Sequence, residues 1–243
     1  MRRVLILVLI TGLLGLQSCA GQKLNLGKVL NEVNKHVQGT GSLSTQEVVA
    51  GLKQALQVGI NKGADSASRL NGYYLNPTIK IPFPPEIERV ETALRRAGLG
   101  SEVDKFVVAL NRGAEEAAKE AKPIFVSAIT GMTITDAWGI LKGEKNAATE
   151  YLKRTTSDQL IAKFSPVVQN ALQKTQATKY YTDLATAYNR LPFVKKVNTD
   201  LNAYATQKAI DGLFILVANE ELKIRENPWA RTTELLKKVF GAI

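Results

Sequence analysis

The 243-residue chain holds one cysteine, one histidine, two methionines and two tryptophans, and each scarcity closes off a chemistry. A single thiol, Cys19, cannot build an internal disulfide framework. A single imidazole, His36, leaves the usual zinc ligand sets unassembled, and the Glu and Glu-x-x-His positions of a di-iron bundle are missing. Nucleophilic catalysis is poorly served too, because without a usable histidine only lysine or carboxylate remains as the base. No glycine-rich phosphate loop and no calcium-loop signature occurs. The chain is therefore read as non-catalytic, with no cofactor and no metal.

The one cysteine stands where an apolar run ends. Met1-Arg2-Arg3 is a short basic segment, Val4 to Leu16 is 13 residues without a charge, and Gln17-Ser18-Cys19 follows. This is the three-part layout of a secretory signal, and the run is shorter than the roughly 20 apolar residues that span a hydrocarbon core. Leu16-Gln17-Ser18-Cys19 resembles the bacterial lipobox, in which a small residue precedes a cysteine that is acylated and becomes residue one, although Gln17 departs from the commonest pattern. Acylation would also protect an exported lone thiol from oxidation without a partner. Residues 1–18 are read as a lipoprotein signal peptide, 19–43 as the lipidated cysteine and a glycine-containing spacer, and 44–243 as the folded domain. Ala20 replaces the aspartate associated with inner-membrane retention, so the resemblance implies a chain exported and lipid-anchored to the cell envelope at the outer membrane.

Loss of residues 1–18 removes Arg2 and Arg3 and no acidic residue, leaving 30 basic against 22 acidic side chains, a formal +8. Such an excess favours anionic surfaces. An exported chain meets little nucleic acid, so the expected partners are the membrane through the N-terminal lipid, an envelope protein, or an anionic amphiphile.

Periodicity predicts helices nearly throughout. Ser44-Thr45-Gln46-Glu47 reads as a capping box ahead of a helix over 45–70, which carries small residues at i, i+4 spacing: Gly51, Ala55, Gly59, Gly63 and Ala67. Glycine inside a helix costs about 1 kcal/mol relative to alanine, and close approach of a neighbouring helix is the plainest reason to repeat it. The segment 76–85, "NPTIKIPFPP", contains four prolines and predicts an extended loop or edge strand lying over the helices. Further helices are expected from 86 to 98, from 101 with a bend at Pro123, over 133–141, 146–154, 156–176 (a second capping box at Thr156 to Gln159, a kink at Pro166), 179–189, 198–223, and 228–240 behind an Asn227 cap. The expected fold is all-α: a single-domain multi-helix bundle with one Pro-rich extended segment.

Several strings, "KPIFVSAITGMTITDAWGILKGEKNAATEYL", "TKYYTDL", "LPFVKKVN", "YATQKAIDGLF" and "NPWARTTELLKKVFG", resemble an uncharacterised family of bacterial envelope proteins filed as a domain of unknown function. The likeness spans residues 43–241. It implies a helical exported domain, often lipidated, and carries over no catalytic or binding residue.

The candidate surface residues are aromatic and basic. Tyr180, Tyr181, Tyr188 and "LPFVKKV" place aromatics, including Phe193, beside Lys195 and Lys196, and Lys237, Lys238 and Phe240 repeat the theme. An apolar body with a cationic rim suits an anionic amphiphile or a membrane surface, while tyrosines at helical spacing equally suit a core. The pairs Glu115-Glu116 and Glu220-Glu221 are read as solvated helix faces, since adjacent positions point about 100° apart and do not converge on one substrate. Trp138 fits either core or pocket wall. Asp211-Gly212 predicts either a carboxylate paired with a buried cation or a tight helix crossing.

Two functions remain. A binding module would enclose a hydrophobic or anionic amphiphilic ligand and needs a continuous apolar cavity between helices. A structural or adaptor module, the favoured reading because it asks less of the residues, docks another envelope component and needs a solid core with an exposed apolar patch.

Overall fold

Ser44 opens the first described helix, α1 (Thr45–Ser68), through the expected capping box. Its hydroxyl accepts from the Glu47 amide at 3.2 Å, and its own amide donates to Glu47 Oε2 at 2.9 Å. The computed structural model describes residues 44–241 except 97, 175, 176, 191, 194, 195, 198, 199 and 232, and leaves the side chains of 86, 93, 177–180, 184, 187, 228 and 241 undescribed. The chain divides into units Met1–Ser42 and Leu43–Ile243. The signal, Cys19, His36 and the spacer all lie outside the described residues.

The remaining helices are α2 (Glu88–Arg96), α3 (Gly100–Ala117), α4 (Ala121–Thr130), α5 (Ile134–Lys142), α6 (Ala147–Gln173), α7 (Ala177–Asn189), α8 (Leu201–Glu226) and α9 (Glu234–Gly241), with short 3-10 turns before α2, α4 and α9. Among the described residues there is no strand, and the fold is an all-α multi-helix bundle. The three long helices α1, α6 and α8 form its centre: α8 packs on both α1 and α6, α3 lies along α6, and α4, α5 and α9 close over α1. Leu52, Ile60, Phe125, Leu152, Phe164 and Leu213 fill the interior, where Phe125 meets Phe214 edge-on at 5.7 Å.

The small-residue stripe of α1 is buried along its length and admits its neighbours closely. A Cβ added at Gly63 would stand 3.4 Å from the Val217 backbone nitrogen, one at Gly59 would stand 3.5 Å from Glu220 Cβ, and one at Gly51 only 2.6 Å from Val239 Cγ2. Partner numbers on α8 fall as those on α1 rise, so the two helices run antiparallel.

Some boundaries differ from the periodicity. Residues 147–173 form one continuous helix in place of two, with Pro166 inside it. The string expected to cap a new helix is absorbed by the preceding turn: the hydroxyls of Thr155, Thr156 and Ser157 donate back to the carbonyls of Tyr151, Leu152 and Lys153 at 2.8, 2.6 and 2.6 Å. At the C-terminal end, Asn227 caps only the 3-10 turn Pro228–Ala230, accepting from the Trp229 amide at 3.0 Å. Helix α9 starts later, where the Thr233 hydroxyl accepts from the Leu236 amide at 3.2 Å. Among the described residues no single helix is long and apolar enough to cross a membrane.

Candidate functional site

After α1 the chain makes a tight turn held from below by α3. Asn71 adopts a left-handed backbone (φ 64°), which asparagine tolerates better than most residues. Gly72 follows, and a Cβ there would fall 2.3 Å from the Ser66 carbonyl oxygen, so the backbone itself demands glycine. The buried carboxylate of Glu115 takes the amides of Tyr73 and Tyr74 on one oxygen, each at 3.1 Å, and pairs through the other with Arg112. Arg112 in turn donates to Asn71 Oδ1 at 2.7 Å. Tyr73 is fully buried, its ring against Gly212 and its hydroxyl donating to the Ala209 carbonyl at 2.5 Å. Burial, with the negative charges of Asp211 and Glu115, drives its phenol far above the ordinary value, so it stays a neutral donor.

The proline segment continues this platform without a strand and only in part as the expected extended loop: residues 76–80 fold into a turn, the Asn76 carbonyl accepting from the Ile79 and Lys80 amides at 3.2 and 2.8 Å, before an irregular stretch over 81–84. Ile79, Ile81 and Phe83 are buried, and Asn111 of α3 substitutes for a neighbouring strand. Its Oδ1 accepts from the Ile81 amide at 2.8 Å, while its Nδ2 donates to the Ile81 carbonyl at 2.8 Å and to the Val107 carbonyl at 2.7 Å. Both backbone groups of buried Ile81 are thereby satisfied.

The outward face of the same turn is apolar. Leu70 is 73% exposed and Leu75 67%. Between them the half-buried Tyr74 ring carries Lys80 Nζ at 4.7 Å from its centroid and the Arg112 guanidinium at 5.7 Å. Arg69 and Lys80 are exposed, so cations accompany the exposed leucines along this part of the chain. Arg112 also borders an open groove of about 460 Å³ between α3 and α6, lined with Glu116, Asn170, Ala171 and Lys174.

The residues singled out from the sequence do not form one surface. Tyr181 is buried, stacked on Phe106 at 6.3 Å, and Phe106 meets Phe83 at 5.1 Å. Tyr180 lies in α7, but its side chain is outside the described residues, as is Lys195. Phe193 is fully exposed and Lys196 is exposed. These positions precede the first turn of α8. Lys237 pairs with Glu234 and Lys238 with Glu47, on α9 against the start of α1, beside the far half of α8. Helix α8 is 26 residues long, about 39 Å at 1.5 Å per residue, and the two clusters belong to its opposite ends.

The expectation for the glutamate pairs needs correction at one member of each. Glu116 pairs with Lys119 and Glu220 with Lys223 at the surface, but Glu115 and Glu221 are buried. Glu221 caps α6 from another helix: its oxygens accept from the amides of Ala148 at 3.0 Å and Thr149 at 2.8 Å, and from the Thr149 hydroxyl at 2.8 Å, while Arg225 donates to it at 3.0 Å. The N-terminal amides of a helix lack intrahelical partners, and Asn146 makes no side-chain cap bond of its own. Both carboxylates are thus committed to holding backbone. Asp211 is exposed and accepts from Gln207, and Gly212 is crowded by the Tyr73 ring and Ile79 of the turn and proline segment, so neither a buried pairing nor a helix crossing accounts for the glycine. Trp138 is half-buried beneath Lys142.

An apolar cavity among Leu52, Leu56, Ile60, Val217, Ile224 and Phe240 holds about 20 Å³, room for a single water. Among the described residues no three His, Cys, Asp or Glu side chains gather as a metal site. The family model for a protein of unknown function, DUF4197, matches residues 42–241. The chain belongs to the DUF4197 family. No curated protein and no solved structure matches the chain.

Sequence reasoning missed Asn111, Glu115 and Glu221 as structural groups. The signal was present: Asn111 and Glu115 continue the i, i+4 row from Val107, and Glu221 occupies the place between buried Val217 and Ile224 where an apolar residue is expected.

Proposed function

We propose that this DUF4197 protein is an exported bacterial lipoprotein, anchored through Cys19 to the outer membrane, whose helical domain is a non-catalytic adaptor docking another envelope protein. The observation that carries this reading is the turn at 69–75: two exposed leucines presented on a backbone fixed by Glu115, Arg112, Gly72 and Tyr73. Exposed leucines on a mobile loop would bind weakly, because ordering the loop costs free energy; here that ordering is already done in the free protein. A rigid apolar face also demands a partner of matching shape, which favours a folded protein. The cations Arg69, Lys80 and Arg112 and the neighbouring Lys174 favour acidic side chains around the partner's apolar contact. The apolar pocket between α1 and α8, at about 20 Å³, is too small to take an acyl chain.

The test is photo-crosslinking in intact cells. A benzophenone amino acid at Leu75 should yield one discrete adduct whose captured peptide carries Asp or Glu, and that adduct should fade when Arg69 and Lys80 are both changed to Gln. The same group at the exposed Ile161 on α6 should not give it. Absence of the Leu75 adduct, or an adduct indifferent to the two cations, would sink the docking face. A lipid retained through native mass spectrometry of Cys19→Ala protein would overturn the adaptor in favour of the ligand-binding module.

A further inference from the structure

Phe193 stands out from every other aromatic of the described residues: its side chain is fully exposed and its backbone is left-handed (φ 63°). Such a conformation is strained for a bulky residue, and water gives the ring no compensation. The loop that carries it is closed at its base. Asn189 donates to the Val197 carbonyl at 2.9 Å and accepts from the Val197 amide at 2.8 Å, and Val197 is buried in the core. The clasp projects the tip, with exposed Pro192 beside the ring. Around it the sequence places Arg190, Lys195 and Lys196, and no acidic residue lies between Asp183 and Asp200.

A second exposed aromatic supplies the contrast. Trp229 is 92% exposed, but it lies between Glu226 and Glu234, and Glu226 is paired with Lys145. Equal exposure therefore comes with a purely cationic setting at one loop and a mixed one at the other.

We infer that Phe193, at the tip held by the Asn189–Val197 clasp, is a bilayer contact, entering the headgroup boundary of an anionic membrane while Arg190 and Lys196 meet the lipid phosphates. A protein partner would need a broader complementary surface than one ring provides; a bilayer accepts a single ring and a few cations without shape matching. The contact is reversible and salt-sensitive, because one aromatic and two cations bind far more weakly than acyl chains. It draws on the lipoprotein reading only for bringing a membrane within reach, and the assay below needs no lipid anchor.

The Cys19→Ala protein is mixed with sedimentable vesicles of phosphatidylglycerol and phosphatidylethanolamine, or of phosphatidylcholine alone. Binding is expected to the anionic vesicles only and to fall as salt rises. Phe193→Ala should weaken it about tenfold, from the apolar area no longer buried. Replacing Arg190 and Lys196 with Gln should cost about fivefold for each charge. Trp229→Ala should leave it unchanged. Phe193→Gly is the control for folding: glycine suits the left-handed backbone, so thermal stability is kept or raised while binding is still lost. Because Cys19→Ala removes the only thiol, Phe193→Cys in that background can carry an environment-sensitive dye, whose emission should shift blue on anionic vesicles alone. No binding, equal binding to phosphatidylcholine, or Phe193 variants that bind like the parent would each overturn the inference.

Discussion

The ring of Tyr73 lies so close over Gly212 that a Cβ on the glycine would stand 2.7 Å from Cε1. Gly212→Ala should destabilise the domain by about 1–3 kcal/mol through overpacking, although alanine favours a helix by about 1 kcal/mol over glycine. Chemical denaturation measures the balance. A stability equal to or above the parent would mean that the turn can move aside, and the rigid platform would be the wrong description.

Among the described residues, Asn111 alone bonds both Ile81 backbone groups. Asn111→Leu keeps the bulk and strips the hydrogen bonds, leaving buried groups that cost about 1–3 kcal/mol each. The segment 76–85 should then become a site of early cleavage in limited proteolysis. Asn111→Asp retains the acceptor alone and should fall between the two.

Glu221→Ala should cost about 3–5 kcal/mol, because Arg225 loses its buried partner and two amides of α6 lose their acceptor. Hydrogen exchange gives the local readout. The Ala148 and Thr149 amides should lose protection ahead of the rest of α6; unchanged protection there would remove the capping role.

Glu47 joins the first and last described helices, accepting from Lys238 and from Ser44. Lys238 first, and then the Ser44 bonds, lower its carboxyl from the usual 4.5 to about 2. A depressed carboxylate stabilises the fold fully above its unfolded value and loses that contribution as pH falls through the folded one. The melting-temperature gap between the parent and Glu47→Gln should therefore be constant near neutrality and narrow from about pH 4.5 toward about pH 2. A gap that persists at the acid end would show that the ion pair is not its source.

If Cys19 is acylated as proposed, cell fractionation separates that anchor from weaker contacts. The parent protein should leave membranes only in detergent, whereas Cys19→Ala should be released by a high-salt wash. If Cys19→Ala also needs detergent, the membrane attachment does not depend on the cysteine.

Local and periodic features were the legible ones. The Ser44 capping box, the helical content and the buried glycine stripe each depend on residues a few positions apart, and each stands as its spacing implies. The glutamate pairs were obscured by their adjacency: seen as doublets they resemble solvated faces, whereas Glu115 and Glu221 lie on buried rows, that of Glu115 shared with polar Asn111 and that of Glu221 flanked by Val217 and Ile224. Their partners, Tyr73 and Ala148, are 42 and 73 residues away, beyond any local pattern. Aromatic residues beside lysines likewise read as one theme along the chain, but the long α8 separates the Phe193 loop from Lys237 and Lys238. Proximity in sequence carries no information about which end of such a helix a segment occupies.

The seating of Val239 on Gly51, with Thr233 donating to Gln54 at 2.8 Å, joins the start of the domain to its end. A chain delivered from its N-terminus cannot close this contact until nearly all of it has emerged. Helix α1 must wait with its glycine stripe uncovered, and removal of α9 would leave that stripe open at Gly51. Completion of the fold is thereby tied to completion of the chain as it leaves the ribosome.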